Sequence, residues 1–312
     1  MKKQTLRWIL LLVAGNLPLG TLLAENPNKV WSDPVIAARE DPDFLVQGEY
    51  AGKAVGMRVA AIGQGKFYVT RYAGGLPGAG WDGGTVPNEI VDAAGVTKAA
   101  QDMQKVERES PTAGAKPPAG AVVLFDGTAN ALVQGKVSDG LLWAGAKSTK
   151  DYGSFKLHAE FRLPYRPGEP LTSQGRGNSG LYLQDRYETQ ILDSFGLVYD
   201  KAQVGVPIKS AEKQWCASFY TIKTPDVPMC FPPLRWQTYD ITFQAARFDA
   251  EGKKTANTTI SVLHNGVKVH DAVQLPHGTG AASKRTETAT GPIVFQDHGE
   301  PVAFRNVWLL ER

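Results

Sequence analysis

The sequence is poor in the residues that mark many functional classes. It has 2 cysteines and 5 histidines in 312 residues, and the histidines (158, 264, 270, 277 and 298) are scattered without a metal-binding pair motif. Beyond residue 24 no apolar run is long enough for a transmembrane helix, and no internal repeat is present, which sets aside membrane spans and solenoids. There is no strong excess of either charge: the formal net charge is +3, and it falls to zero once Lys2, Lys3 and Arg7 are set apart. With no basic surplus and no lysines interleaved with aromatics, nothing drives nucleic-acid binding. No cysteine follows the N-terminal apolar run, which excludes a lipidated anchor.

What is present begins with those three basic residues. They precede the short apolar core Trp8–Val13, and Ala24 offers a small residue for cleavage. This is the order of a signal peptide over residues 1–24, with a secreted or periplasmic product beginning at Glu25 and no membrane insertion afterwards. Leu22 departs from the small-residue rule, which keeps an uncleaved anchor as the alternative. Export also bears on Cys216 and Cys230, which flank a short Pro-containing loop. An oxidising compartment favours a Cys216–Cys230 disulfide over two buried free thiols.

Glycine and proline are plentiful (33 and 20), which favours many turns and a β-rich fold. Residues 107–120, "ERESPTAGAKPPAG", have a linker's composition and divide a unit at 25–106 from one at 121–312. In the first unit, "DFLVQGEYAG", "GMRVAAIGQG" and "KFYVTRYAGG" read as strands of a small antiparallel sheet. "NEIVDAAGVTKAAQDMQKVERE" reads as a helix with Asn88 as N-cap. Gly78, Gly80 and Gly83 in "GAGWDG" match a dinucleotide fingerprint by letter only. Pro87 interrupts before any helix and no βαβ alternation follows, so a glycine-rich turn is expected and no nucleotide cofactor.

The second unit is a succession of strand-like stretches. Phe155, Leu157, Ala159 and Phe161 alternate with Lys156, His158, Glu160 and Arg162, and "VLHNGVKV" carries the Asn-Gly signal of a hairpin. Many short strands with few helices give an all-β jelly-roll sandwich, preceded by a small β-rich domain. Within "RGNSGLYLQDRYETQILDSFG", Glu188 and Gln190 share one strand face. Two hairpin registers are open: Leu183 opposite Glu188, or Gln184 opposite Glu188. The second, or a bulge, gathers Tyr182, Gln184, Glu188 and Gln190 on one polar face, and only a bulge turns Asp193 toward Glu188.

That segment resembles the secreted family known as domain of unknown function 1080, the 3-keto-disaccharide hydrolases or 3-keto-glucoside lyase/hydratases. "VVLFDGT", "YGSFKLHAEFR", "WQTYDITFQAARFD", "VLHNGVKV" and "GPIVFQDHGEPVAFRNVW" follow the family in order across 121–312. "DPDFLVQGEYAG" and "GGLPGAGWDGG" resemble the small domain that precedes it in some members. Asp185 stands where the family often has Gly, which leaves the turn type open.

The resemblance implies a concanavalin A-like lectin/glucanase jelly roll acting on an oxidised (3-keto) disaccharide or glucoside. It also leaves room for a divalent metal ion, although no ligand set can be read from spacing. A ketone at C3 acidifies the C2 proton, so the reaction needs a base, a partner for the enolate oxygen and an acid for the leaving group. Glu188 is the candidate base, Arg176 the oxyanion partner, and His298 an acid or metal ligand; Asp193 is a further candidate acid/base. Asn178, Tyr182, Gln184, Gln190, Gln296 and Trp236 are candidate substrate contacts. For the two aromatics this requires one exposed ring face; otherwise they are core or rim. Two rival readings stand beside this one. Glu188-x-Gln190-x-x-Asp193 imitates the Glu-x-Asp-x-x-Glu strand of laminarinase-like retaining glycosidases, though Gln190 replaces the middle acid. A carbohydrate-binding module would need the aromatics but not Glu188.

Overall fold

The computed structural model describes residues 29–84, 86–197, 214–220 and 222–312; the stretch expected to be an export signal lies outside them. The small unit opens with two short helices, α1 (Pro34–Glu40) and α2 (Pro42–Val46), each with an aspartate N-cap and a proline in its first turn. Strands β1 (Gly48–Gly52), β2 (Val55–Ala61), β3 (Lys66–Ala73) and β4 (Asn88–Asp92), helix α3 (Ala93–Ala99) and β5 (Gln104–Val106) follow. They form one antiparallel sheet, ordered β4-β3-β2-β1-β5, with Met57, Val59, Phe67 and Val69 in its core.

The long helix expected from residue 88 is corrected. Asn88–Asp92 pairs with Lys66–Thr70 as a strand, and the N-cap is Asp92, whose carboxylate accepts from Gly95 N at 2.9 Å. "NEIVD" carries two β-branched residues that fit a sheet edge, and the pairing partner overrides their place in a helical window.

The large unit contains β6 (Val122–Phe125), β7 (Val133–Gln134), β8 (Val137–Ser138), β9 (Leu141–Trp143), β10 (Ala146–Ser148) and β11 (Phe155–Arg162). After these come β12 (Asn178–Leu183), β13 (Tyr187–Leu192), β14 (Trp236–Gln244), β15 (Arg247–Phe248), β16 (Lys254–Ala256), β17 (Thr258–His264), β18 (Val267–Leu275), β19 (Val294–Phe295) and β20 (Ala303–Glu311). A sheet ordered β18-β17-β14-β11-β20-β9-β8 faces one ordered β13-β12-β19-β10-β7. All strand pairings are antiparallel, and the layers enclose one core that includes Phe155, Phe161, Leu181, Ile191, Tyr239, Phe295 and Phe304. This is the expected all-β sandwich with a small β-rich domain before it. Among the described residues no helix is long and apolar enough to cross a membrane.

Residues 107–120 have a linker's composition but lie strapped across the outer face of the larger sheet. Thr112 Oγ1 donates to Asp240 (2.6 Å), Gly114 N donates to Glu160 (2.6 Å), and the Ala115 carbonyl accepts from Asn306 and Trp308. Beneath the strap His158 is fully buried, with Nδ1 2.6 Å from Asp240 and its ring stacked on Trp308. Burial alone would lower its pKa, but hydrogen bonds and charge from Asp240 and Glu160 lift it to about 9.

The two units also exchange buried arginines. Arg58 of β2 donates to the Pro228 carbonyl (2.9 Å), and Arg176 of the large unit donates to the Ala61 carbonyl (2.9 Å). The expected disulfide is corrected: Cys216 and Cys230 are buried free thiols. The two thiols hydrogen-bond each other, and Cys216 Sγ also meets Tyr239 OH at 3.2 Å while Cys230 Sγ meets the Leu192 carbonyl at 3.6 Å.

Candidate active site

The β12–β13 hairpin takes neither of the two expected registers. Gln184 and Asp185 both have left-handed φ (55° and 56°), and Arg186 N donates to Leu183 O at 3.1 Å, the pattern of a type I′ turn. Arg186 is the third residue of the loop, so Leu183 is opposite Tyr187, Tyr182 opposite Glu188, and Gly180 opposite Gln190. The backbone at Asp185 is left-handed, a conformation that glycine adopts without strain. Gln184 leaves the strand face altogether. Its amide Nε2 ties the carbonyls of Tyr152 and Ala289 at 2.9 and 3.0 Å, so its role is to hold the turn.

Leu181, Leu183, Tyr187 and Ile191 point into the core, which leaves Asn178, Gly180, Tyr182, Glu188 and Gln190 on the opposite face. Gln296 joins them, because its backbone N donates to Gly180 O at 2.9 Å and sets it beside Gly180 on the far side from Gln190. The Glu188 side chain lies across Gly180, where an added Cβ would fall 2.3 Å from its Oε1. Tyr182 OH donates to Glu188 Oε2 at 2.8 Å, and Glu188 N donates to Thr279 Oγ1 at 2.7 Å. Glu188 is 2% exposed, and burial pushes its pKa up to about 7 against the opposing Tyr182 hydrogen bond.

Loops frame this face. The 214–220 segment runs along β13, with Gln190 N donating to Ser218 O and Ala217 N to Gln190 O. Its Tyr220 hydroxyl is raised mainly by burial and next by the Glu188 charge, and it shares a hydrogen bond with Gln174. Gln174 in turn accepts from Asn178 Nδ2 at 2.8 Å. Three buried amide oxygens on this face, Asn178 Oδ1, Gln190 Oε1 and Gln296 Oε1, have no hydrogen-bond partner. A buried acceptor without a donor costs about 1–3 kcal/mol, so the face is built to receive donor groups from elsewhere.

The other expected residues lie apart. Arg176 and Asp193 form a fully buried ion pair at 2.8 Å, and the remaining Arg176 arms donate to the carbonyls of Glu169 and Ala61. Every guanidinium nitrogen is occupied, so Arg176 is not available as an oxyanion partner, and Asp193 does not turn toward Glu188. His298 stands two residues past Gln296, with Nδ1 3.0 Å from Glu300 and its side chain 42% exposed. Trp236 is on the outer face of the other sheet, between the guanidinium groups of Arg305 (4.1 Å) and Arg162 (5.0 Å), which excludes it from the Glu188 face. Among the described residues no group of three or more His, Cys, Asp and Glu stands together as a metal site. Sequence reasoning missed Tyr220, Gln174 and Thr279. They lie in loops distant in sequence, and only the aromatic density of "WCASFY" hints at one of them.

A provisionally named glycosyl hydrolase from Parabacteroides distasonis ATCC 8503 superposes with a TM-score of 0.52 at 27% identity, covering 62% of this chain and 85% of that one. Two further proteins so described from the same organism, each 18% identical, superpose at 0.43 over 94% and 0.38 over 99% of their lengths and 62% of this chain. None of the curated proteins compared is significantly similar. The sandwich and its polar β12–β13 face fall within residues 106–310, which match the 3-keto-alpha-glucoside-1,2-lyase-like domain, and the chain belongs to that family.

Proposed function

We propose that this carbohydrate-active enzyme cleaves 3-keto-glycosides, with Glu188 as the base. The observation that carries the reading is a buried carboxylate, held by Tyr182, on a face of unpartnered amide oxygens. A base of pKa about 7 is ionised in a useful fraction at neutral pH and still basic enough to take a carbon-bound proton acidified by a ketone. Glu188 takes the C2 proton, and the C2–H electron pair forms an enolate on the C3 oxygen. The enolate collapses, C3=O re-forms, C1=C2 forms, and the C1–O pair leaves with the aglycone oxygen, which takes a proton. Water then adds OH to C1 and H to C2, completing net hydrolysis.

Tyr182 orients the carboxylate, and burial and the Glu188 charge keep its phenol protonated. Gln190 and Gln296 flank Gly180, and rotation of either amide turns its NH₂ toward an enolate oxygen, the role Arg176 cannot fill. A hard divalent ion bound here would find the Glu188 carboxylate and the amide oxygens, and would add charge stabilisation of the same oxygen. A retaining glycosidase is disfavoured because it needs a second carboxylate ~5–5.5 Å from the first, and Asp193 is enclosed with Arg176.

Two rate measurements test the reading: wild type on matched 3-keto and parent glucosides, and Glu188→Gln on the keto form. The parent sugar should turn over negligibly, and the variant should lose about 10²–10⁴-fold. Equal rates on the two sugars overturn the elimination. Export belongs to the same proposal, with cleavage after Ala24, and intact mass of the exported product checks it.

A further inference from the structure

We propose that Trp81, supplied by the small unit, forms an aromatic wall for the second ring of a disaccharide bound over Glu188. The inference rests on the carbohydrate reading above and adds the element that recognises the leaving sugar. Trp81 and Leu171 pack against the buried pair Leu197 and Trp215, and Leu171 joins this cluster to the sandwich core. Two of these neighbours connect to the polar face. Trp215 is two residues before Ala217, whose N–H bonds Gln190, and Leu171 is three residues before Gln174, which bonds Asn178. The cluster is therefore the apolar border of the Asn178–Gln190 end of that face, and the ring on its outer side comes from the small unit.

The loop that carries Trp81 is rigid. Gly74, Gly75 and Gly80 have φ of 83°, 149° and 105°, and an added Cβ at Gly75 or Gly74 would lie 2.2 or 2.3 Å from the carbonyl oxygen of Ala79 or Gly80. Trp81 N donates to Leu76 O and Asp82 N to Ala73 O, which close the loop on itself. Of the three glycines that match a dinucleotide fingerprint by letter, Gly80 belongs to this tight platform, where an added Cβ would lie 2.6 Å from the Gly74 carbonyl oxygen. Behind it the Trp81 ring meets Tyr72 edge-on (5.5 Å, 82°), and the Arg58 guanidinium lies 5.6 Å from the Tyr72 ring. The indole Nε1–H is buried and has no acceptor. A tryptophan placed only for packing normally satisfies that donor, whereas a sugar hydroxyl arriving at the ring supplies the missing oxygen.

The wall does not need the C3 ketone, so binding of unoxidised sugars reads it separately from turnover. Calorimetric titration of wild type, Trp81→Phe and Trp81→Ala with the parent disaccharide and with the corresponding methyl glucoside is the test. Trp81→Ala should weaken the disaccharide about tenfold and the methyl glucoside less than about twofold. Trp81→Phe should fall between, since it keeps a ring and loses the N–H donor. Equal weakening of both sugars, no weakening of either, or no binding to wild type overturns the wall. Equal turnover of oxidised and parent sugars would overturn the elimination and leave this result standing.

Discussion

Replacing Glu188 with glutamine should make the protein more stable as it makes it inactive, and only above a defined pH. The carboxyl is nearly isosteric with the amide, so packing over Gly180 and the hydrogen bond with Tyr182 are retained. What changes is the charge. Burial holds the Glu188 pKa at about 7 in the folded protein, against 4.5 for a glutamate in water. Because the folded value is the higher one, the folded state holds the proton more tightly, and wild-type stability from this group is complete below pH 4.5 and lost as pH rises through 7. At ~1.4 kcal/mol per pH unit the loss has a ceiling of about 3 kcal/mol, with about 2–3 kcal/mol expected after relaxation of the site. For a protein of this size that corresponds to a melting temperature roughly 3–5 °C higher for Glu188→Gln at pH 8.5. At pH 4.5 the two proteins should melt together. Urea and thermal unfolding of both, measured at half-unit steps from pH 4.5 to 8.5, gives the difference curve directly. A difference that does not change with pH would refute the claim that burial of a charge, and not packing, is what this residue costs.

Three further outcomes follow from the same geometry. The rate constant kcat/KM on a 3-keto substrate should rise with pH through about 7 as Glu188 ionises, and a profile flat between pH 5.5 and 8 would exclude it as the base. Gly180→Ala places a methyl 2.3 Å from the resting position of Glu188 Oε1; activity should fall about 10–100-fold from the displaced carboxylate, with melting nearly unchanged, as steady-state rates and calorimetry will show. His158, raised from 6.5 to about 9, contributes stability present below pH 6.5 and lost as pH rises through 9. Wild type should lose about 2–3 kcal/mol relative to His158→Gln across that window in urea melts, together with protection of the 107–120 strap from proteolysis.

The sandwich was legible because its strands alternate. Phe155–Arg162 places every second residue in the core as the sequence pattern requires, and the glycines mark the turns. The polar face was legible too: Tyr182, Glu188 and Gln190 share it in the structure. The exact register was not, because the loop holds three residues, Gln184, Asp185 and Arg186, and local sequence does not choose between that and a shifted or shorter turn. Arg176 and Asp193 misled for a physical reason. Charged residues beside a site motif read alike whether they face a substrate or neutralise each other inside, and their separation of 17 positions gives no sign of the 2.8 Å ion pair. The 107–120 strap was read as a linker because its contacts are made by backbone carbonyls and small side chains, which composition does not reveal.

The exchanged arginines bear on how the two units can be inherited. Residues 106–310 match the family domain, yet a chain reduced to that region would lack the Ala61 carbonyl that takes one arm of Arg176. It would also leave the Pro228 carbonyl without the Arg58 donor. Deletion would remove that acceptor and open the Arg176–Asp193 pair to water, so the sandwich should be less stable without its small unit. Because the acceptors at 61 and 228 are main-chain carbonyls that any residue supplies, the side chains expected to vary with the presence of the unit are those at 58 and 176. Recombination that swaps small units between relatives would then succeed only when both ends of this exchange travel together.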